Sequence, residues 1–325
     1  MGVTRRWILE MLADGRRHAG AALARELGVT RAALGQHIER LRGDGWVIEG
    51  RAGGGYCLCG PGTPLRRRLI EQELTPLGER LASLEILDTV ASTSDHLRGQ
   101  TPPAPGCVHV CVAELQTAGR GRRGRGWRAH PGQSITQSLD QVLGVAPAAL
   151  TSLGLVVALA TAETLERAGI TGIQLKWPND LECNGAKLGG ILLDVTGEAV
   201  GSARVVTGIG INHDLPHRIR DIGGRAVTAI REHWPHAPAR DIIAGRVACA
   251  VAAACEGFAA DGAVDLKARW AQRDSLAGRP VTLDFGNGHT EVGRAVGIDD
   301  DGALLLETKA KLQRCLAGEV SVRAV

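Results

Sequence analysis

Apolar residues recur at helical spacing along the first part of the chain. Ile8, Met11 and Leu12 share one face, and the pattern stops at Asp14-Gly15. A second short helix is predicted from Gly20 to Leu27, ended by Gly28. Thr30 opens a third over Arg31 to Arg42, because a threonine hydroxyl accepts from an orphaned N–H at a helix start. Leu34, Ile38 and Leu41 form its apolar face, and Arg31, Ala32, Gly35, Gln36, Glu39 and Arg40 form the other. Trp46-Val47-Ile48 then reads as a strand, Gly53-Gly54-Gly55 as a turn and Tyr56-Cys57-Leu58 as the return strand. Helices joined by a short glycine turn and followed by a hairpin make a winged helix-turn-helix over residues 1–61. In that fold the Thr30 helix enters a major groove, so Thr30, Arg31, Ala32, Gln36 and Arg40 are candidate DNA contacts. The wing brings Arg51 toward a phosphate.

Pro61-Gly62-Thr63-Pro64 reads as a linker, and Arg66-Arg67-Arg68 after it as a solvated helix face, with Leu65, Leu69 and Leu74 packing inward. From about 65 to 275 strands and helices mix. Strands are predicted over Leu84–Val90, Cys107–Gln116, Ile173–Trp177, Lys187–Asp194 and Ala203–Ile209. The Asn184-Gly185 turn makes 173–177 the hairpin partner of the Lys187 strand. Helices are predicted over Ala146–Ala168, Ile242–Ala260 and Asp265–Arg273. Residues 213–235 read as a long loop, of the kind that forms lids or lacks order. Short strand candidates, Ala303–Glu307 and Glu319–Arg323 among them, fill a last unit over 278–325.

One stretch departs from all periodicity: Gln116-Thr117-Ala118-Gly119-Arg120-Gly121-Arg122-Arg123-Gly124-Arg125-Gly126-Trp127. Glycine costs a helix interior about 1 kcal/mol relative to alanine, so this is a loop. Arginine is permanently charged and its planar fork fits carboxylates and phosphates. Glycine lets backbone approach a ligand. The loop is suited to closing over a compact anion whose aromatic group stacks on Trp127. Past the strand ends lie Lys176-Trp177-Pro178-Asn179-Asp180, the lysine-led strand at Lys187, and Gly208-Ile209-Gly210-Ile211-Asn212. Strand ends are where open sheets bind ligands. Many cations and one carboxylate, with no Walker loop and no metal-ligand cluster, suit phosphoryl chemistry by positioning and charge neutralisation.

Composition narrows the partners. Of 325 residues, 44% are hydrophobic and 22% charged, ordinary for globular chains, and the length suggests two or three domains. A net charge of +3 confines any nucleic-acid surface to one region. Met1–Glu10 lacks a signal-peptide core and no run approaches ~20 apolar residues, so a cytoplasmic protein without membrane attachment is expected. The eight cysteines are scattered, and only Cys57 and Cys59 hint at a shared face; reduced packing is the expectation.

These motifs, in this order, resemble the bifunctional biotin protein ligase and biotin operon repressor family of bacteria, over nearly the full chain. The resemblance implies an α+β protein: the winged domain, a central α/β catalytic domain with a mixed, class II synthetase-like sheet, and an SH3-like β-barrel at 278–325. It implies that biotin's carboxylate attacks the α-phosphorus of ATP, giving biotinyl-5′-AMP, and that a lysine of the biotin carboxyl carrier protein of acetyl-CoA carboxylase then takes the biotin. By the same resemblance Ser92, Thr93, Ser94, Gln116, Arg120, Gly121 and Arg122 contact biotin. Lys187 stands between its carboxylate and the α-phosphate. Trp127, Lys176, Asn179, Asp180 and Asn212 serve the adenylate and ATP, with Asp180 helping to hold Mg²⁺. Lys187, Arg122, Arg120 and Asp180 are the catalytic candidates. Biotin operator DNA and a homodimer formed when biotinyl-AMP is bound are the further partners implied. Arg128-Ala129-His130-Pro131-Gly132-Gln133 stands where the family has an aromatic and Phe-Gly, and Gln137 and Asp140 stand at usually apolar positions. A ligand sensor without turnover and a lipoate-type ligase are the alternatives, the latter opposed by the Gly-Arg loop and the winged domain.

Overall fold

The N-terminal helices form where apolar spacing places them: α1 (Val3–Leu12), α2 (Gly20–Glu26) and α3 (Arg31–Gly43). The structure is a computed structural model that describes residues 3–51, 53–60, 62–216, 219–222, 224–285, 289–316 and 321–324. Thr30 Oγ1 accepts from Ala33 N at 3.1 Å and so satisfies a donor that the helix start leaves orphaned. Ile8, Leu12, Leu34, Ile38, Leu41 and Trp46 close a small core of their own. β1 (Ile48–Arg51) and β2 (Gly55–Leu58) make the antiparallel wing. The first wing strand begins at Ile48 rather than Trp46, because Trp46 N bonds back to Leu41 O and its ring lies in the core. Thr30, Arg31, Ala32, Gln36 and Arg40 are all exposed.

The central sheet is mixed, as the fold class requires. Its strands are β3 (Leu81–Val90), β4 (Val108–Gln116), β5 (Ser134–Leu143), β6 (Gln174–Lys176), β7 (Asp180–Cys183), β8 (Ala186–Gly197) and β9 (Ala203–Asn212). They lie in the order β3-β4-β5-β9-β8-β7-β6, with only β3 and β4 parallel. The helices are α4 (Arg67–Leu74), α5 (Thr93–Arg98), α6 (Leu153–Arg167), α7 (Ile230–His233), α8 (Arg240–Asp261) and α9 (Leu266–Ala271). Strand alternation along β5 separates the two faces. Gln141 donates to Ala252 O of α8, whereas Ser138 meets Thr93 and Ser94 of α5. By length and composition alone α8 is apolar enough to cross a membrane, which the sequence pattern does not single out; it packs against α4, α6 and β5.

Several expectations are corrected. Asn184-Gly185 joins β7 to β8, and β6 pairs with β7 rather than with the Lys187 strand, because the chain also reverses at 177–179. The apolar run from Ala146 divides into a short 3₁₀ turn at Pro147–Leu150 and α6. Arg66 is not simply solvated: its Nε bonds the wholly buried Asp241 at 2.7 Å. Within 213–235 the described residues include α7, and Val227 is bridged to Lys187. Of the expected stretches, Pro61, His217, Arg218, Gly223, Glu319 and Val320 lie outside the described residues.

The C-terminal unit holds β10 (Pro280–Asp284), β11 (Thr290–Ile298), β12 (Leu304–Glu307), β13 (Leu312–Cys315) and β14 (Ser321–Ala324), antiparallel in the order β13-β12-β11-β10-β14. Val281, Leu283, Ala295 and Leu306 belong to the same apolar cluster as the central sheet, and Trp177 Nε1 donates to Gly302 O at 3.0 Å.

The winged domain meets the centre through a buried joint. Glu114 on β4 and Arg240 at the start of α8 are paired at 2.5 Å and are 2% and 1% exposed. Arg240 also donates to Thr63 O and Ser134 O, and Glu114 accepts from Leu65 N and Gly132 N. Linker, β4, β5 and α8 thus share one ion pair. Beside it Gly132 abuts Trp46 and Gly62 so closely that a Cβ would lie 2.7 Å from the Trp46 ring.

Candidate functional site

On the α5 face of the sheet lies a cavity of about 340 Å³. Its lining holds six cationic side chains, Arg120, Arg122, Arg125, Arg128, Lys187 and Arg225, against one carboxylate, Asp180. One end is neutral and polar. Ser92 caps α5 through Asp95 N at 3.3 Å. Gln116 Oε1 accepts from Thr93 N at 2.7 Å and Thr93 Oγ1 at 3.0 Å, and Ser94 Oγ lies 2.9 Å from Ser138 Oγ. These side chains hold one another in place, a preorganised set of donors and acceptors.

At the other end charges gather on β7 and β8. Lys187 Nζ lies 2.6 Å from Asp180 Oδ1, and Arg225 lies 2.5 Å from Asp180 Oδ2. Arg225 also reaches Glu182 at 2.9 Å, with Lys176 Nζ 3.7 Å from the same oxygen. Burial raises the Asp180 pKa, but Lys187 and Arg225 outweigh it and hold the carboxyl below its ordinary value. Lys187 moves down instead: burial depresses its ammonium, Asp180 opposes that, and Arg225 and Arg125 add repulsion. Burial disfavours both charged forms, and the surplus of cations around Asp180 favours its carboxylate while adding to the depression of the ammonium. Asp180 Oδ1, although beside Lys187, makes no aligned hydrogen bond.

The Gly-Arg loop closes the cavity from above. Gly119 O accepts from Trp127 N at 2.8 Å, and Arg123 sits at φ 56. Arg120 is anchored at the rim by Asp95 at 2.8 Å and Asp194 at 2.6 Å. Arg122 makes no side-chain hydrogen bond or ion pair among the described residues; burial, with Arg123 and Arg125 nearby, lowers its pKa. The Trp127 indole lies against β9 because residue 210 is glycine: a Cβ there would be 2.4 Å from the ring. Lys187 Nζ is 5.7 Å from the ring centroid, within cation–π range. Trp127 Nε1 is buried without a partner.

Of the residues singled out in the sequence, Ser92, Thr93, Ser94, Gln116, Arg120, Gly121, Arg122, Trp127, Asn179, Asp180, Lys187 and Asn212 line this one cavity. Lys176 does not; its ammonium turns to Glu182. Asn179 and Asn212 use their amide nitrogens on Ile191 O and Thr228 O, tying surrounding segments to the site. Sequence reasoning missed Arg225, which reaches Asp180 from 45 residues away, and no local pattern marks it. Of the two atypical polar residues on β5, Asp140 pairs with Arg204 at 2.8 Å. Both amide atoms of Gln137 are unpartnered, and the structure offers no account of them.

The chain matches a helix-turn-helix domain model over residues 4–57, the biotin/lipoate A/B protein ligase family over 88–212, and the biotin protein ligase C-terminal domain over 277–323. It is 33% identical to the bifunctional ligase/repressor BirA of Salmonella typhimurium, covering 98% of this chain and 97% of that one. Against BirA of Bacillus subtilis the identity is 29%, covering 94% and 93%. Among solved structures, the biotin protein ligase from Aquifex aeolicus in complex with biotin and ATP superposes with a TM-score of 0.63 at 26% identity, covering 75% of this chain and all of that one.

Proposed function

The chain belongs to the bifunctional ligase/repressor BirA family, and from that membership we propose how its own residues divide the work. It is a biotin ligase and a repressor. The proposed acceptor is a lysine of a biotin carboxyl carrier protein, reached through biotinyl-5′-AMP. The observation that carries this is the single cavity, polar and neutral at one end and cationic at the other.

Biotin's ureido ring would take the end built from Ser92, Thr93, Ser94 and Gln116, with Arg120, Gly121 and Arg122 over it. Its carboxylate then points at Lys187. In the first step a carboxylate oxygen bonds to the α-phosphorus and the bond to the pyrophosphate oxygen breaks. Lys187 and the loop arginines offset the negative charge that gathers there, in a site where they need no reorganisation. In the second step the carrier lysine, as a free amine, attacks the acyl carbon and AMP leaves. The Gly-Arg loop keeps water from the anhydride between the steps. Trp127, with its unpartnered Nε1, supports the adenylate assignment, together with Asn179 and Asn212.

Mg²⁺ fits this donor set. Asp180 is the carboxylate on the cavity wall and would hold the ion, sharing its oxygens with Lys187 and Arg225; Mg²⁺ is commonly held by one or two carboxylates plus substrate phosphates. Bound there it would supply charge neutralisation on the triphosphate.

For repression, the proposed switch is ordering of the Gly-Arg loop and of segment 213–235 by biotinyl-AMP, which completes a homodimer surface. Two winged domains then read paired operator half-sites through α3. Incubation with ATP, biotin and a carrier domain tests the ligase: carrier left unlabelled despite ligand binding would make the protein a sensor. Deletion of residues 1–61 is expected to abolish operator binding and spare ligation. Tight, specific operator binding by ligand-free protein would sink the switch.

A further inference from the structure

Arg225 has a place in this site that its surroundings define. Its guanidinium spans two carboxylates of β7, Asp180 and Glu182, and it lines the cavity beside Lys187. Its backbone neighbours are fixed to the start of β8. Lys187 N donates to Ala226 O at 2.9 Å, and Thr228 N donates to Lys187 O at 2.9 Å. One short segment therefore grips Lys187 by the main chain and Asp180 by a side chain.

The charge balance says what that grip does. A lone Asp180–Lys187 pair at 2.6 Å would be neutral, with its ammonium committed to the carboxylate. Arg225 takes the other oxygen and also reaches Glu182, which Lys176 approaches from its far side, so three cations share two anions and one positive charge is left over. Glu182 is needed in turn: it holds the second arm of Arg225 and keeps the fork facing Asp180 Oδ2. We propose that Arg225 is a positioning residue for the nucleotide half of the site: by sharing Asp180 with Lys187 it keeps the Lys187 ammonium free to meet a phosphate. This rests on the ligase reading, in which that phosphate belongs to ATP.

The test compares wild type, Arg225→Ala and Arg225→Lys. Direct titrations with biotin alone and with ATP and Mg²⁺ alone are followed by biotin-dependent ATP–pyrophosphate exchange. For Arg225→Ala the expectation is that affinity and KM for ATP weaken about tenfold or more, the scale of a lost charged contact. Biotin affinity should stay within about twofold. Arg225→Lys should recover part of the ATP affinity, since it restores the charge but not the two-armed anchor. If Arg225→Ala does not fold, Glu182→Gln, which releases the second arm, should give a smaller rise in the same direction. ATP affinity and KM within about twofold of wild type would overturn the proposal. So would biotin affinity falling in step with ATP. Absence of exchange in wild type would instead overturn the ligase reading, while the ATP titration still decides Arg225.

Discussion

The joint at Glu114–Arg240 and the cluster at Asp180–Lys187–Arg225 are both ionic, both lie against the same sheet, and are built oppositely. At the joint one anion meets one cation, and every side-chain nitrogen and oxygen has a partner. At the cluster Lys187, Arg225 and Lys176 share two carboxylates, Asp180 and Glu182, Asp180 Oδ1 lacks an aligned hydrogen bond, and Trp127 Nε1 beside it has no partner. A closed, balanced pair has nothing left with which to bind. An unbalanced one carries unmet hydrogen-bonding capacity and net charge at a cavity wall, where a ligand can meet both. The joint is closed on itself, whereas the cluster is left open toward the cavity.

The largest effect that breaks the comparison is expected at the joint. Arg240→Ala leaves Glu114 charged and buried with its best partner gone, which typically costs about 3–5 kcal/mol. Urea unfolding should show a lower midpoint at an unchanged slope, with KM values for biotin and ATP near wild type in protein that remains folded. A loss below about 1 kcal/mol would mean that the pair is not a joint in the energetic sense.

The reverse is expected at the cluster. Lys187→Ala leaves Asp180 with Arg225, so stability changes little, while adenylate formation should drop by about 10²-fold or more. Pyrophosphate release near the wild-type rate would refute the role of Lys187.

How much of this contrast was legible in the sequence follows from the range of the interactions. The winged domain was readable because Thr30, the Leu34–Ile38–Leu41 face and the glycine turns act within a few residues of themselves. The lining of the cavity was readable from glycine and charge, since the Gly-Arg loop and the Lys187 strand stand out locally and both reach its wall. What failed was pairing over distance. β7 was hidden because Pro178 and Asn184-Gly185 mark two reversals six residues apart and only one was used. Arg225 and Arg240 look like surface arginines until the fold brings them to carboxylates 45 and 126 residues away.

pH sharpens the difference at the cluster. Lys187 is depressed below 10.5 in the folded protein, so the native state releases that proton before the unfolded chain does. Between the folded value and 10.5 the unfolded state binds more protons, and this group makes stability rise with pH. On the proposed role of Lys187 activity needs the ammonium and should fall in that same window. Asp180 is depressed instead, so its contribution to stability is present above its unfolded value of 3.8 and is lost as pH falls through the folded value. Exchange rate and unfolding midpoint, measured together from neutral to alkaline pH, should therefore diverge. Parallel loss of both would remove Lys187 as the titrating group.

The smallest effect is expected at the rim, where the cavity has a third kind of ion pair. Arg120 bonds Asp95 and Asp194, but it is 36% exposed and water competes for all three groups. Exposed pairs contribute about 0.2–1 kcal/mol, and Asp194→Asn leaves Asp95 in place. The loop should open slightly more often, and release of biotinyl-AMP should rise about twofold, within the fivefold that 1 kcal/mol permits. Arg122→Gly gives the reference for a larger leak. Arg122 lines the cavity with no carboxylate of its own among the described residues, so its charge is available to the intermediate rather than to the loop. Labelling of bystander lysines in a mixed-protein assay should rank Arg122→Gly above Asp194→Asn above wild type. If Asp194→Asn leaked as much as Arg122→Gly, retention would depend on anchoring the loop rather than on the charge that faces the ligand, and the distinction between rim and floor would collapse.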